Sequence, residues 1–408
     1  MTTRTPRRFS KTGLRLVPTA FESAMQMPNR RLNIKHRFLS ISMLILALAS
    51  LSMMDTALAQ GACKRTASRM FEACNFDLLE ENKLAQANCT NITDTHEQRA
   101  CLDEARMTQR EERELCHTQR RARLEACELL AEDRYDPDPL LDPAIEFVDP
   151  DDVDENTVNP YVSVIAGHTY VLRAGEDFEE TVVVHVTEES REILGVLCRI
   201  VVDIVFVAEE DEEDGGIDYI PVEHTDDWFA QDTARNVYYC GEVARNFEDG
   251  QLVDLDGSFE AGKERAKSGV LIKAFPITGE AHRQEFALGE AEDIIQYGDL
   301  AAIPSEEEGG ENSDFPCSSD PNGCLMTFDF TPLAPESTEF KYYLPGVGFV
   351  LGVALEDGEL TGERDELVCV GDSLEILQDP SCEIEDPEEL LEELCELSPD
   401  AFCEDDED

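Results

Sequence analysis

The chain has 408 residues, with 33 Lys+Arg against 90 Asp+Glu, a formal net charge of -57, 14 cysteines and a single tryptophan. A hydrophobic content of 42% suffices for real cores, while so acidic a balance excludes some partners. Nucleic acid and anionic lipid surfaces bind through Lys and Arg that neutralise phosphate, and this chain would be repelled by both.

Residues 30–37 are basic (Arg-Arg-Leu-Asn-Ile-Lys-His-Arg) and run into an apolar stretch at 41–54, followed by Ala57-Leu58-Ala59. This order predicts a secretory signal peptide over 1–59. The apolar stretch has 14 residues, short of the roughly 20 that span a bilayer, so no integral membrane span is expected in the mature protein. A lipoprotein would use Cys63, but Gln60-Gly61-Ala62 lacks the aliphatic residue expected three positions upstream. Cleavage removes 9 basic and 2 acidic residues, leaving 24 against 88 and all 14 cysteines. An even number of cysteines in an exported chain points to structural disulfides and a secreted or periplasmic location.

Residues 60–134 are free of proline and rich in good helix formers, with turn and N-cap types only at 88–94. That pattern predicts an antiparallel helical hairpin. Its six cysteines, Cys63, Cys74, Cys89, Cys101, Cys116 and Cys127, are separated by 11, 15, 12, 15 and 11 residues, a palindrome. A hairpin turning near residue 95 places Cys63 opposite Cys127, Cys74 opposite Cys116 and Cys89 opposite Cys101. Three disulfide rungs are expected. Zinc sites would need cysteines two to four apart, a spacing absent here. The hairpin reads as a stalk, spacer or docking arm.

Residues 135–160 carry repeated Asp-Pro steps and are expected as a linker. From 161 to 378, β-branched and aromatic runs alternate with Gly, Asp and Asn turns, at 169–172, 181–187, 200–207, 237–239, 270–274, 325–330, 340–344 and 348–355. Connections too short for crossover helices predict antiparallel pairing. The segment 304–323 is acidic, Gly-rich and aperiodic, and reads as a mobile insertion bracketed by Cys317 and Cys324. The tail, 379–408, is acidic, with a short helix expected over 387–397 behind Asp386 as N-cap.

Chemistry-bearing motifs are absent: no HExxH, CxxC or Gly-rich phosphate loop, and Ser373 lacks the second glycine of a nucleophile elbow. Asp254-Leu-Asp-Gly257 falls short of an EF-hand loop. Dispersed carboxylates could still hold a cation, calcium being the ion they would take, and Glu290, Glu292 and Asp293 are the candidates. The bland reading of these three is a solvated turn. Trp228, Gln231, Asp232 and Arg283 are candidate ligand contacts, against a core anchor at Trp228 and an ion pair at Arg283. The acidity has two explanations, solubility in concentrated salt or an acid-lined binding surface.

The stretches Asp227-Trp-Phe-Ala-Gln-Asp232, Asn236-Val-Tyr-Tyr-Cys-Gly-Glu242, Gly257-Ser-Phe-Glu-Ala-Gly262, Arg283-Gln-Glu285 and Gly289-Glu-Ala-Glu-Asp293 together resemble a family of exported bacterial proteins of unassigned function. Flanking matches, among them Asn159-Pro-Tyr161 and Thr331-Pro-Leu333, extend the resemblance over about residues 159–355. It implies a single β-rich domain in a secreted or periplasmic protein, and a disulfide between Cys198 and Cys324. It brings no activity. The chain departs from the pattern at Cys240, where an aromatic is usual, so the partners of Cys240, Cys317, Cys369, Cys382, Cys395 and Cys403 stay open.

The expected fold is α+β, a disulfide-laddered α-helical hairpin followed by a mainly antiparallel β domain, a curved sheet or half-barrel. The expected function is a non-catalytic binding or envelope-associated protein whose partner is a small molecule or an envelope protein. The alternative is a secreted hydrolase working through carboxylates.

Overall fold

Two long helices, α1 (Leu39–Thr90) and α2 (Thr95–Leu129), form the hairpin. The computed structural model describes residues 39–175, 178–210, 216–248, 250–309, 316–319 and 322–403, those before residue 61 as backbone only. The expected signal peptide lies outside the residues whose side chains are described. Asp94 caps α2 by accepting the N–H groups of His96 and Glu97 at 2.8 and 2.9 Å, which satisfies two of the donors a helix start leaves free. Disulfides join Cys63 to Cys127, Cys74 to Cys116 and Cys89 to Cys101, the pairs the palindrome sets.

The β domain begins with the long strands β1 (Thr169–Ala174), β2 (Glu180–Ile193), β3 (Val196–Glu210), β4 (Ile217–Gln231) and β5 (Val237–Glu248). Shorter pieces follow: β6 (Gln251–Asp254), β7 (Phe259–Glu260), β8 (Lys267–Ile272), β9 (Ala281–Arg283), β10 (Glu285–Phe286) and β11 (Ile294–Tyr297). After the one-turn α3 (Pro316–Ser319) come β12 (Leu325–Phe330), β13 (Ser337–Leu344), β14 (Gly348–Glu356) and β15 (Glu359–Gly371). Neighbours run antiparallel in the order β10-β8-β5-β4-β3-β2-β1-β15-β14-β13-β12-β11-β9, with β6 and β7 beside β5.

The two ends of that order, β9 and β10, are separated in sequence by Gln284 alone, so the sheet curls into a nearly closed barrel. Gln284 spans the seam: its N–H donates to Asp293 at 2.9 Å and its Nε2 to the Leu271 carbonyl at 3.2 Å. Gly269 on β8 allows this approach, because a Cβ there would collide with the Gln284 carbonyl.

The outer face of β1 to β4 and β15 presents Val171, Val183, Ile204 and Phe206, and the C-terminal tail covers them with Leu377, Leu390, Leu394 and Phe402. The tail helix α4 (Pro387–Leu397) starts at the expected cap, Asp386, and a Cys369–Cys382 disulfide ties the tail to β15. A further bridge joins Cys395 to Cys403.

Two expectations are corrected. Residues 135–160 are not a loose linker: Asp138, Asp142 and Asp149 accept N–H bonds from residues two further on, making capped turns, and Leu140 and Val153 are buried against the sheet. Cys198 pairs with Cys240 and not with Cys324, because Cys198 on β3 and Cys240 on β5 face one outer core around Trp228, whereas Cys324 sits beside Ala302 and bridges Cys317. Part of the 304–323 insertion lies outside the described residues. From Met53 onward the chain is one unit. Among the described residues no helix is long and apolar enough to cross a membrane.

Candidate functional site in the barrel lumen

Alternate residues of a strand face the same side, and the inner faces of this barrel change character along their length. On β12 they read Leu325, Thr327, Asp329, and on β13 Tyr343, Lys341, Glu339. Leu325 and Tyr343 join Val237, Ile272, Ile295 and Tyr297 in an apolar floor, packed from below by Val158, Tyr161 and Val162 of the segment after the helical hairpin. Above the floor the lumen is acidic.

Register sets the acids opposite one another. Asp329 faces Glu339, Lys341 faces Gly352, Gly352 faces Asp365, and on the other wall Asp227 faces Glu242. Lys341 lies 3.2 Å from Glu339 and 3.8 Å from Asp329, and these carboxylates, Glu339 foremost, hold its ammonium well above the usual lysine range despite burial. One cation cannot neutralise this lining. Burial pushes Asp329 and Asp365 up to about 6, helped at Asp365 by Glu339. Burial also raises Asp203 and Glu285 well above the carboxylate range, with the neighbouring acids adding to it.

Hydrogen-bond geometry requires protons here independently of any titration argument. The Tyr239 hydroxyl contacts Asp227 closely and Glu242 at 2.7 Å, and a phenol has one proton to donate. Both contacts are hydrogen bonds only if a carboxyl carries the second proton. Burial, with repulsion from Glu223 and Asp226 at Asp227 and from Asp227 at Glu242, pushes Asp227 to about 7 and Glu242 to about 9. Glu285 is raised by burial first and by the Asp293 charge second. Glu285 Oε2 and Asp329 Oδ2 receive no hydrogen bond, although their residues are only 6% and 7% exposed, and Asp329 Oδ2 lies 3.8 Å from the Lys341 ammonium. A buried oxygen without a donor is costly, and Asp329 borders open space.

The space is a cavity of about 620 Å³, lined by Asp293, Asp329, Glu339, Lys341 and Asp365, with Glu180 and Arg364 nearer its rim. Its size falls in the range of ordinary small-molecule sites.

The sequence candidates go elsewhere. Trp228 is 3% exposed in the outer core, with the Arg191 guanidinium 4.2 Å over its ring. Gln231 accepts the Asn159 N–H at 2.7 Å and donates to the Thr157 carbonyl, and Asp232 accepts from Asn236 and from the Tyr238 hydroxyl at 3.0 Å. Gln231 holds the preceding segment in place, and Asp232 closes the turn into β5. Arg283 pairs with Glu132 at 2.8 Å, at the hairpin end, and stacks on Phe286.

The proposed cation triad is not assembled. Glu292 is bound by Arg123 of α2 through contacts of 2.6 and 2.8 Å, Asp293 faces the lumen, and Glu290 lies in the turn between them and the seam. Among the described residues no group of three or more His, Cys, Asp or Glu is placed to hold a metal ion. Of the lumen acids only Asp293 was singled out in the sequence, yet Asp227, Glu242, Glu285 and Asp293 sit in four of the five short stretches that carry the family resemblance. An acid in each of four stretches far apart in the chain was the available signal.

The fold and site together define a disulfide-rich, nearly closed barrel with an acidic lumen. No protein-family model matches the chain, and no curated protein does. Among solved structures it is similar to a Bacteroides fragilis NCTC 9343 protein with a YmcC-like fold, provisionally described as exported, at 12% identity and a TM-score of 0.27, covering 53% of this chain and 99% of that one. A fit of that quality defines neither the fold nor the activity of this protein.

Proposed function

We propose that this is an exported binding protein of the family its motifs resemble, and that its barrel lumen holds an organic cation. The observation that carries the reading is a 620 Å³ cavity whose carboxyls outnumber Lys341 and Arg364, and on which Asp329 Oδ2 is buried without a hydrogen bond, 3.8 Å from the Lys341 ammonium. Solubility in salt accounts for acids on the surface. It gives no reason to place them inside a barrel, where desolvation makes them costly. An ammonium or guanidinium group in the cavity would supply the hydrogen bond that Asp329 Oδ2 lacks. Export accords with seven disulfides that leave no free cysteine among the described residues. The hairpin, whose Phe76, Leu84 and Met107 are exposed, serves as the docking arm toward an envelope partner.

Thermal unfolding in spermidine, calcium chloride and sodium chloride at matched ionic strength tests the reading. A saturable rise in Tm with spermidine alone supports it. Equal responses to all three would reduce the acidity to a salt adaptation, and a calcium-specific rise would return the argument to a metal site.

A second reading, a carboxylate-dependent hydrolase, is favoured by one observation: Tyr239 holds together two carboxyls pushed to about 7 and about 9, a proton acceptor and a proton donor near neutrality. Turnover of an ester, glycoside or peptide panel, abolished by Asp227→Asn, would select it.

A further inference from the structure

Seven disulfides join the described cysteines, and six of them bury at least one partner: Cys89, Cys116, Cys127, Cys198, Cys317 and Cys382 are each no more than 1% exposed. The seventh, Cys395–Cys403, buries neither. Cys403 is exposed and Cys395 half-buried. Loop length does not account for the difference, because Cys317–Cys324, closing a separation of 7 residues against 8 here, is buried at both ends. A thiolate must reach one sulfur to break a disulfide, so exposure separates labile bridges from structural ones.

This bridge closes the chain over Phe402. Cys395 lies on α4, and Cys403 follows α5 (Pro399–Phe402), a single turn bonded back to Ser398 and Pro399. Phe402 is 5% exposed, and its ring lies 5.4 Å from that of His185 on β2. α4 is held independently, by Leu390 and Leu394 in the outer core and by the buried Cys369–Cys382 bridge upstream. α5 is held by the seating of Ala401 and Phe402 and by the Cys395–Cys403 bond. Carboxylates flank the bridge: Glu392, one helical turn before Cys395, Glu396 beside it, and Asp400, three residues before Cys403, are all exposed. Residues 387–403 contain no basic residue. Such a field repels anionic thiolates and draws thiols that carry an ammonium group.

We propose that Cys395–Cys403 is a thiol–disulfide exchange site selective for thiols bearing a positive charge, and that exchange frees α5 from the sheet. The incoming thiolate attacks Cys403 Sγ, the exposed end. A new sulfur–sulfur bond forms there as the Cys395–Cys403 bond breaks, and the electron pair leaves on Cys395 Sγ, which takes a proton from solvent. The incoming thiol is thereby oxidised to a mixed disulfide and Cys395 is reduced to a thiol. A second thiolate then attacks the sulfur of the first, the two depart as their own disulfide, and Cys403 takes a proton in turn. The six buried bridges keep the fold throughout. The site shares no residue with the lumen and stands apart from the reading of it.

The test treats the oxidised full mature chain with cysteamine or with 3-mercaptopropionate at about pH 8, near the thiol range, followed by alkylation and peptide mapping by mass. Cysteamine is expected on Cys403, with Cys395 alkylated and the other six disulfides intact. Each rate is divided by that of the same thiol on a small neutral disulfide, which removes differences in intrinsic reactivity. So corrected, cysteamine should react roughly tenfold faster at low salt, and the two rates should converge in about 1 M sodium chloride. Glu392→Gln, Glu396→Gln and Asp400→Asn combined should narrow the preference, with Trp228 fluorescence unchanged. Chymotrypsin should cut after Phe402 in the exchanged chain and not in the oxidised one. Another bridge opening first, or the adduct forming on Cys395, would overturn the site. Equal corrected rates at low salt would overturn the selectivity, and a Phe402 still protected after exchange would overturn the release of α5.

Discussion

A buried ion pair helps anchor the hairpin to the barrel, beside the Gln119 bond to the Leu333 carbonyl and the Arg283–Glu132 pair just past α2, and its removal is the sharpest test of how the two parts hold together. Arg123 Nε lies 2.8 and 3.2 Å from the two oxygens of Glu292, and Nη2 lies 2.6 Å from Oε1, with side chains 6% and 2% exposed. The other contact to Glu292 is the Gly289 N–H at 2.9 Å. Arg123→Met keeps the stem packing but leaves a buried carboxylate with one backbone donor, and breaking one side of such a pair costs about 3–5 kcal/mol. Replacing both partners, Arg123→Met with Glu292→Leu, removes the stranded charge and should return most of that loss, since buried pairs exchanged for apolar residues of similar volume are often neutral. Urea unfolding followed by Trp228 fluorescence reads both variants. A loss below about 1 kcal/mol in the single variant, the worth of an exposed pair, would refute the anchor. A double variant as damaged as the single would show that packing, and not the stranded charge, carries the cost.

Stability should fall as pH rises from about 5 to 9. Asp329 and Asp365 are pushed up to about 6, Asp227 to about 7 and Glu242 to about 9, all above their unfolded values near 4. Their contribution is therefore whole below about pH 4 and is lost as pH climbs through the folded values; exposed acids are already ionised across that window. Glu242→Gln should flatten the upper part, and a stability that instead rises toward pH 9 would contradict the buried lumen. Peptide mapping without reduction should recover Cys198 joined to Cys240 and Cys317 joined to Cys324; a Cys198–Cys324 peptide would restore the pairing the family resemblance implies. Gly269→Ala puts a Cβ against the Gln284 carbonyl at the seam and should lower stability by about 1–3 kcal/mol in thermal unfolding, whereas an unchanged Tm would mean the seam is looser than described.

The hairpin was fully legible because its cysteines encode distance along two facing helices, and the cap at Asp386 because capping is local. The barrel was legible in part. Runs such as 181–187 alternate plainly, but β4 carries Glu223, His224, Asp226 and Asp227, and β15 carries Glu359, Glu363, Asp365 and Glu366. Acids such as Asp227 and Asp365 facing the lumen break the pattern by which a buried face is read, so these two strands were not among the runs expected as strands. The Asp-Pro segment misled for a related reason: like charge and proline suggest an extended linker, yet Asp138 and Asp149 each cap the turn that the following proline starts. The site itself depends on which strands meet around the barrel, and Asp203 alone within the apolar run of β3 gave no hint that Asp227 and Asp365 lie near it.

The central claim is that the lumen binds an organic cation at one place in the fold. Equilibrium dialysis of labelled spermidine at about pH 8 and physiological ionic strength, where surface attraction is largely screened, measures it directly. The account predicts one saturable site per chain, lost when Asp329→Asn and Asp365→Asn are combined and retained when exposed tail acids such as Glu388 and Glu392 are neutralised. Binding that scales with the number of surface acids removed and ignores the lumen pair would contradict it.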